Sequence, residues 1–388
     1  MIMGQSPPSS ACNSIGEGIP FFQGNADFGR MHPTPHSWCA VPTKTAIRGD
    51  ILISVRAPVG EINVASEECC IGRGLCAIRA NDVDSQYLYY GISHIAPLMH
   101  RLSQGSTFKA INSTELAEIL LAVPPLREQK KIAEILSAVD EATGKTSAVL
   151  EKIRKLKKEL TQRFLTNGRW NKKVKKSVIG DIPVGWEVAR LADLLKEPIR
   201  NGYSPICPDA PTGRWTLGLG ALSEQGFRAD KAKPAPLDDP KAVDALLHIG
   251  DLLVSRSNTR ELVGLAAIYD GFPSDCIYPD LMMRVRVSPD KMESRFLELY
   301  LLSSRGRKYF QSEARGTSGS MLKINSEIVG RMLVPRPPLE EQRDICARMR
   351  AVLDELRSET HCLEKLLSMK DALMQNLLTG RSRAFHMK

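Results

Sequence analysis

Pro124-Pro125-Leu126-Arg127-Glu128-Gln129 returns later in the chain as Pro337-Pro338-Leu339-Glu340-Glu341-Gln342. The stretches after the two copies close alike, on Phe164-Leu165-Thr166-Asn167-Gly168 and on Leu377-Leu378-Thr379-Gly380. Upstream, Gly49-Asp50-Ile51-Leu52-Ile53-Ser54 answers to Gly250-Asp251-Leu252-Leu253-Val254-Ser255, and a Gly/Ser/Thr-rich turn leads to Ile111-Asn112 and to Ile324-Asn325. The repeating unit is therefore a globular segment followed by a long helix, used twice. Two similar surfaces on one chain suit a long or two-part ligand.

The helical reading rests on period. After Pro125, Ile132, Val139, Ile153 and Leu160 fall on one heptad row, and Leu136, Leu150 and Phe164 on its companion. After Pro338 the same register holds Ile345, Val352, Leu366 and Leu373, with Met349, Leu356, Leu363 and Leu377 beside them. Even the interruptions coincide, Thr146 with Glu359 and Lys157 with Lys370. A helix of about 40 residues is roughly 60 Å long and cannot bury such a stripe alone, whereas two can bury each other. The connection between the helices crosses a whole domain, so antiparallel pairing is expected.

The strand-rich parts read differently. Ile51 to Val55 and Gly74 to Ile78 are short buried strands, Gly24-Asn25 and Val59-Gly60 are turns, and Ser85 to Leu102 is the best local helix. The expected fold class is α+β: two strand-rich domains separated by two long helices that form an intramolecular antiparallel coiled coil, a pseudo-twofold repeat. The boundaries expected are 1–124, first domain; 125–168, first helix; 169–181, an exposed basic linker; 182–336, second domain; 337–380, second helix; 381–388, tail.

A chain of 388 residues has room for two cores, and its formal charge of +9 favours an anionic partner, nucleic acid before membrane. No apolar run of about 18 residues exists, and the start lacks the pattern of a secretory signal. The nine cysteines are scattered, with Cys69-Cys70 and Cys76 the densest group, and read as reduced thiols of a cytoplasmic protein that holds no metal.

A search for catalytic patterns returns nothing convincing. Thr143-Gly144-Lys145-Thr146 resembles the end of a phosphate loop, but the leading glycine would fall at Val139, inside the helical seam. Gly218-Leu219-Gly220 lacks the third glycine of a dinucleotide fingerprint. There is no nucleophile elbow, no zinc-protease or deaminase pattern, and no Asn-Pro-Pro-aromatic motif. No catalytic residue is expected, and no cofactor bound by this chain. What remains is polar loops with the donor and acceptor groups that match bases and phosphates. In the first domain these are Gln23, Asn25, Arg30, Lys44, Arg56, Gln104, Ser106, Thr107 and Lys109. In the second they are Arg200, Asn201, Tyr203, Arg214, Arg256, Asn258, Arg260, Arg315, Thr317 and Ser318.

The double unit of Pro-Pro-Leu-x-Glu-Gln, seam helix and closing Leu-Thr-Gly resembles the specificity subunit of type I restriction-modification systems. Ser177-Val178-Ile179-Gly180-Asp181-Ile182-Pro183, with Gly185-Trp186 after it, looks like that family's entry into its second target recognition domain, and the Gly-Asp-Ile-Leu-Ile-Ser strand is similar to one those domains carry. The resemblance covers essentially the whole chain. It implies a non-catalytic cytoplasmic protein whose two recognition domains each read one half of a split, asymmetric double-stranded DNA site, with the helices setting the gap. It further implies two methyltransferase subunits, which would bind S-adenosylmethionine, and motor-nuclease subunits as partners. One departure stands out. Residues 182–199 precede Asn201-Gly202-Tyr203-Ser204-Pro205, whereas the matching Met3-Gly4-Gln5-Ser6-Pro7 comes almost at once; either the start has been placed late or the first domain lacks an outer strand. The competing readings are a coiled-coil adaptor without sequence preference and a self-sufficient methyltransferase or nuclease.

Overall fold

Each proline pair starts a helix. The computed structural model describes residues 1–104, 110–169, 173–316 and 321–384. In it Leu126–Asn167 and Leu339–Leu378 are continuous α-helices. Gly168 and Gly380, at φ +61° and +73°, turn the chain off their ends in the left-handed region glycine favours. The Gln of the repeated motif explains why it repeats. Gln129 Nε2 donates to Pro124 O at 2.7 Å and its Oε1 accepts from Asp84 N at 2.8 Å. Gln342 does the same with Pro337 O at 2.8 Å and Glu293 N at 2.8 Å. Both amides are buried, and each pins a long helix to the start of an earlier helix of its unit, Ser85–Gln104 or Ser294–Leu302.

The chain divides into two compact units, Met1–Ser147 with His361–Lys388, and Ala148–Thr360, and each long helix contributes to both. In the first unit, Ile132 and Leu136 pack with Met374, Leu377 and Leu378, and Lys370 pairs with Asp140 at 2.6 Å. In the second, Phe164 and Leu165 share a core with Ile345 and Met349, and Arg169 pairs with Asp344 at 2.8 Å. Rising numbers on one helix meet falling numbers on the other, so the pairing is antiparallel in each unit. The heptad rows face inward: Val139, Leu150 and Leu356 are buried, while Ile153, Leu160, Val352, Leu363, Leu366 and Leu373 are half-buried.

The strand-rich parts repeat one framework. In the first unit an antiparallel sheet runs Ile2–Met3, Leu75–Ile78, Ile51–Ser54, Ile62–Val64; in the second it runs Arg200–Asn201, Met282–Val285, Leu252–Ser255, Ala266–Ile268. The central strands, Ile51–Ser54 and Leu252–Ser255, are buried throughout, as expected for apolar runs without alternation. Beside each lies a second sheet built on a parallel pair, Ile19–Phe22 with Cys69–Ile71 and Arg214–Leu217 with Cys276–Ile277. Within the stretch expected as a linker, Val174–Lys175 pairs with Ile182–Pro183. Among the described residues no helix is long and apolar enough to cross a membrane.

Candidate nucleic-acid interface

The Gly-Asp of each unit's central strand is structural. Gly49 and Gly250 sit at φ +90° and +92°, and the carboxylates next to them close the turn, Asp50 accepting from Ile47 N and Asp251 from His248 N, both at 2.9 Å. Each carboxylate then pairs with an arginine across the sheet, Asp50 with Arg79 at 2.8 Å and Asp251 with Arg286 at 2.5 Å. This braces the strand whose far end carries the polar loops.

At that end the two units build the same corner. Gly4 N and Gln5 N donate to Leu75 O and Ile71 O; Gly202 N and Tyr203 N donate to Met282 O and Tyr278 O. A Cβ on Gly4 would lie 2.1 Å from Gly72 O, and one on Gly202 2.1 Å from Tyr278 O, so only glycine permits the approach. The next serine then receives a backbone amide from across the corner at 3.3 Å, Arg73 N to Ser6 Oγ and Asp280 N to Ser204 Oγ.

Different side chains crown the two corners. In the second unit Arg256 donates to Asp280 O at 3.1 Å and its carbonyl accepts from Ile324 N. Ser257–Asn258 pairs with Leu322–Lys323, and Lys323 exchanges both backbone hydrogen bonds with Arg315. Arg256, Asn258, Lys323 and Arg315 thus share one short ladder, while Arg200 and Asn201 are exposed on the edge strand of the four-stranded sheet. In the first unit Gln23 accepts from Ser6 Oγ at 3.0 Å and stands beside exposed Arg73, and Arg56 bridges to Ala110 as Ser257 does to Lys323. Lys44 is exposed, its carbonyl accepting from Ile71 N, and Asn25 opens the short 3₁₀ turn Asn25–Asp27.

Several expected residues lie elsewhere. Arg214, only 13% exposed, is committed to Asp275 at 3.1 Å and to Leu237 O. Arg30 donates to Asp140 O at 3.2 Å, lying on the first long helix. Arg260 reaches Gln311 O, and Tyr203 hydrogen-bonds Asp239, which raises its phenol pKa. Ser106, Thr107, Lys109, Thr317, Ser318 and the side chain of Gln104 lie outside the described residues. Sequence reasoning passed over Arg73, Lys323 and the pair Ser6 and Ser204; the shared Gly-x-Ser-Pro was the signal for the last two.

The second unit also holds a cleft of about 1130 Å³ beside the long helices, bordered by Arg154, Lys157, Arg295, Glu298, Arg307 and Arg357. Burial depresses the Lys157 ammonium pKa, and its Nζ donates to Glu224 O at 2.7 Å. Burial raises the Glu298 carboxyl pKa, and Glu298 accepts from Ile268 N at 2.9 Å. Among the described residues no group of three His, Cys, Asp or Glu is placed to hold a metal ion.

Comparisons with known proteins agree with this architecture. Residues 42–155 match the type I restriction modification DNA specificity domain. A putative type I restriction enzyme MjaX specificity subunit of Methanocaldococcus jannaschii is 46% identical over 168 residues, 43% of this chain and 40% of that protein. The MjaVIII specificity subunit of the same organism is 26% identical over 78% of this chain and 71% of its own length. The chain thus spans less than half the length of the first of these relatives. In fold, the chain is similar to the type I restriction-modification S subunit of M. genitalium, with a TM-score of 0.59 at 16% identity over 97% of this chain and 92% of that one. In its duplicated framework and in these matches together, the chain is similar to the specificity subunits of type I restriction-modification systems.

Proposed function

We propose that the chain is a non-catalytic DNA-reading subunit that recognises a split, asymmetric site and docks methyltransferase and motor-nuclease subunits. The observation that carries this reading is the repeated corner. One backbone framework is built twice and crowned once by Gln23, Arg56 and Arg73 and once by Arg256, Asn258, Arg315 and Lys323. Equal frameworks with unequal side chains suit two half sites of unlike sequence. Arg, Asn and Gln carry the donor and acceptor forks that read base edges, and lysines with serines hold phosphates. Neutralising phosphates supplies affinity that falls as salt rises. The methyl donor, S-adenosylmethionine, belongs on this reading to the partner methyltransferase, and the chain works in the cytoplasm beside DNA.

The test is co-expression with the neighbouring methyltransferase subunit, followed by genome-wide mapping of methylated adenines. A split motif with a fixed gap is the expected result. Arg256→Ala and Arg315→Ala should each relax or abolish one half of the motif and leave the other intact. Methylation without a split motif, or one that ignores both substitutions, would overturn the reading in favour of an adaptor without sequence preference.

A further inference from the structure

Three thiols of the first unit meet in its second sheet. Trp38–Cys39 runs between Cys12–Asn13 on one side and Ile19–Phe22 on the other, antiparallel to both, and Cys12 stands directly opposite Cys39. Cys39 and Cys70 are 0% exposed, whereas Cys12 is half-buried, with its Sγ 3.7 Å from Pro8 O. Burial and, after it, the neighbouring Cys39 thiol raise the pKa of Cys12. Burial is also the main cause of the raised pKa at Cys70, where the Cys39 thiol again contributes.

The strand register makes one pair of these thiols special. Ala40 N donates to Ala11 O at 2.9 Å, so the ladder bonds leave from residues flanking the two cysteines, and Cys12 and Cys39 are a non-hydrogen-bonded pair. The Cα atoms of such a pair lie about 4.5 Å apart with both side chains on one face, within the roughly 4.4 to 6.8 Å that a disulfide spans. The register is pinned locally. Asn13 Oδ1 accepts from Ile15 N, Gly16 N and Glu17 N, each at 3.1 Å, and its Nδ2 donates to Glu17 O at 2.7 Å, closing the turn before Ile19–Phe22. A Cβ on Gly18 would lie 2.1 Å from Cys39 O, so glycine lets Cys39 close on that turn. Cys70 has Phe21 and Thr45 opposite it, and no cysteine. Its neighbour Cys69 takes the other face of the strand and shares a core with Phe22 and Ile71.

We propose that Cys12 and Cys39 are a redox modification site, which hydrogen peroxide closes into a disulfide across the strand pair. Cys12, the more accessible of the two, meets the oxidant. Its sulfur takes one oxygen from the peroxide, the O–O bond breaks and one water leaves. The Cys39 sulfur then attacks the resulting sulfenic acid, the S–O bond breaks, and the second oxygen leaves as water with the proton of Cys39. Two thiols and one peroxide thus become one disulfide and two waters. The raised thiol pKa makes the site slow, suited to sustained oxidant and not to a brief pulse. Closing it ties down the segment that runs from the Gly4 to Ser6 corner through the 3₁₀ turn Ser9–Ala11. The inference concerns the thiols and holds or fails without the reading of DNA.

The experiment treats the full chain with excess hydrogen peroxide, blocks the remaining thiols with N-ethylmaleimide and maps tryptic peptides without reduction. Cleavage after Arg30, Lys44, Arg56 and Arg73 puts Cys12, Cys39 and the Cys69-Cys70 pair on three separate peptides. The expected result is a link between peptides 1–30 and 31–44 that dithiothreitol opens. Cys12→Ser, at a half-buried position, should abolish it, and Cys70→Ser should leave it in place. Hydrogen exchange at residues 9–13 should slow on oxidation and recover on reduction. Exposed Cys362 reports that the oxidant has acted. The proposal is overturned if Cys362 is oxidised while 1–30 and 31–44 stay unlinked, or if 31–44 joins 57–73 instead. A linked species that runs as a dimer on a non-reducing gel would place the bond between two chains and overturn it as well.

Discussion

Gln342 shows how much one buried side chain can decide. It is 0% exposed, donates to Pro337 O and accepts from Glu293 N, so it closes the start of one helix and the start of another. Leucine has similar bulk and neither hydrogen-bonding group. Gln342→Leu should therefore cost about 3 kcal/mol, because two backbone groups lose their partner in a dry site. Urea denaturation followed by circular dichroism measures this, and an unchanged midpoint would refute it. Gly144 makes the complementary point. A glycine in a helix interior costs about 1 kcal/mol relative to alanine, and here a Cβ would lie 2.5 Å from Arg30 Nη1. The position leaves room for a loop arginine that reaches the helix carbonyl of Asp140.

At the scale of the element, the polar breaks in the helical seam have partners of their own. Lys370 pairs with Asp140 and lies 5.7 Å from the Tyr90 ring centroid, while Lys157, its repeat counterpart, turns to Glu224 O. Near Lys157 lies Glu298 on the Ser294–Leu302 helix, faced also by Arg295 at 3.6 Å and by Arg357. Burial outweighs these cations and raises the Glu298 pKa. A carboxyl whose folded pKa exceeds its unfolded one adds stability that is complete below the unfolded value and lost as pH rises through the folded value. Glu298→Gln can keep the acceptor for Ile268 N and removes the titration. Its melting temperature relative to the parent should therefore be higher at pH 8 than at pH 5, and a pH-independent difference would contradict this linkage.

For the whole molecule, the duplication is the organising fact. Each unit pairs opposite ends of the two long helices, so every helix serves two cores. If the helices set the gap between half sites, removing seven residues from each in matched register shortens the spacer by roughly 10 Å, about three base pairs. Methylome mapping should then return the same two half-site sequences with an altered gap. An unchanged gap would show that the helices do not act as the ruler. Deletion from one helix alone should instead cost stability, because it shifts one apolar row out of register with the other.

The sequence alone determined the double unit, both long helices, their antiparallel pairing and the central buried strands. Those features rest on local periods and on turn residues such as Gly49 and Gly250, which act wherever they stand. The tertiary structure alone decided which polar side chains share a corner, because Ser6 with Arg73, Ser204 with Asp280, and Arg256 with Ile324 are brought together by strand pairing across long loops. It likewise drew Arg214 into an ion pair and Arg30 onto a helix, although their composition matched that of the corner residues. A side chain's neighbours depend on where distant strands return, and no local pattern of residues encodes that.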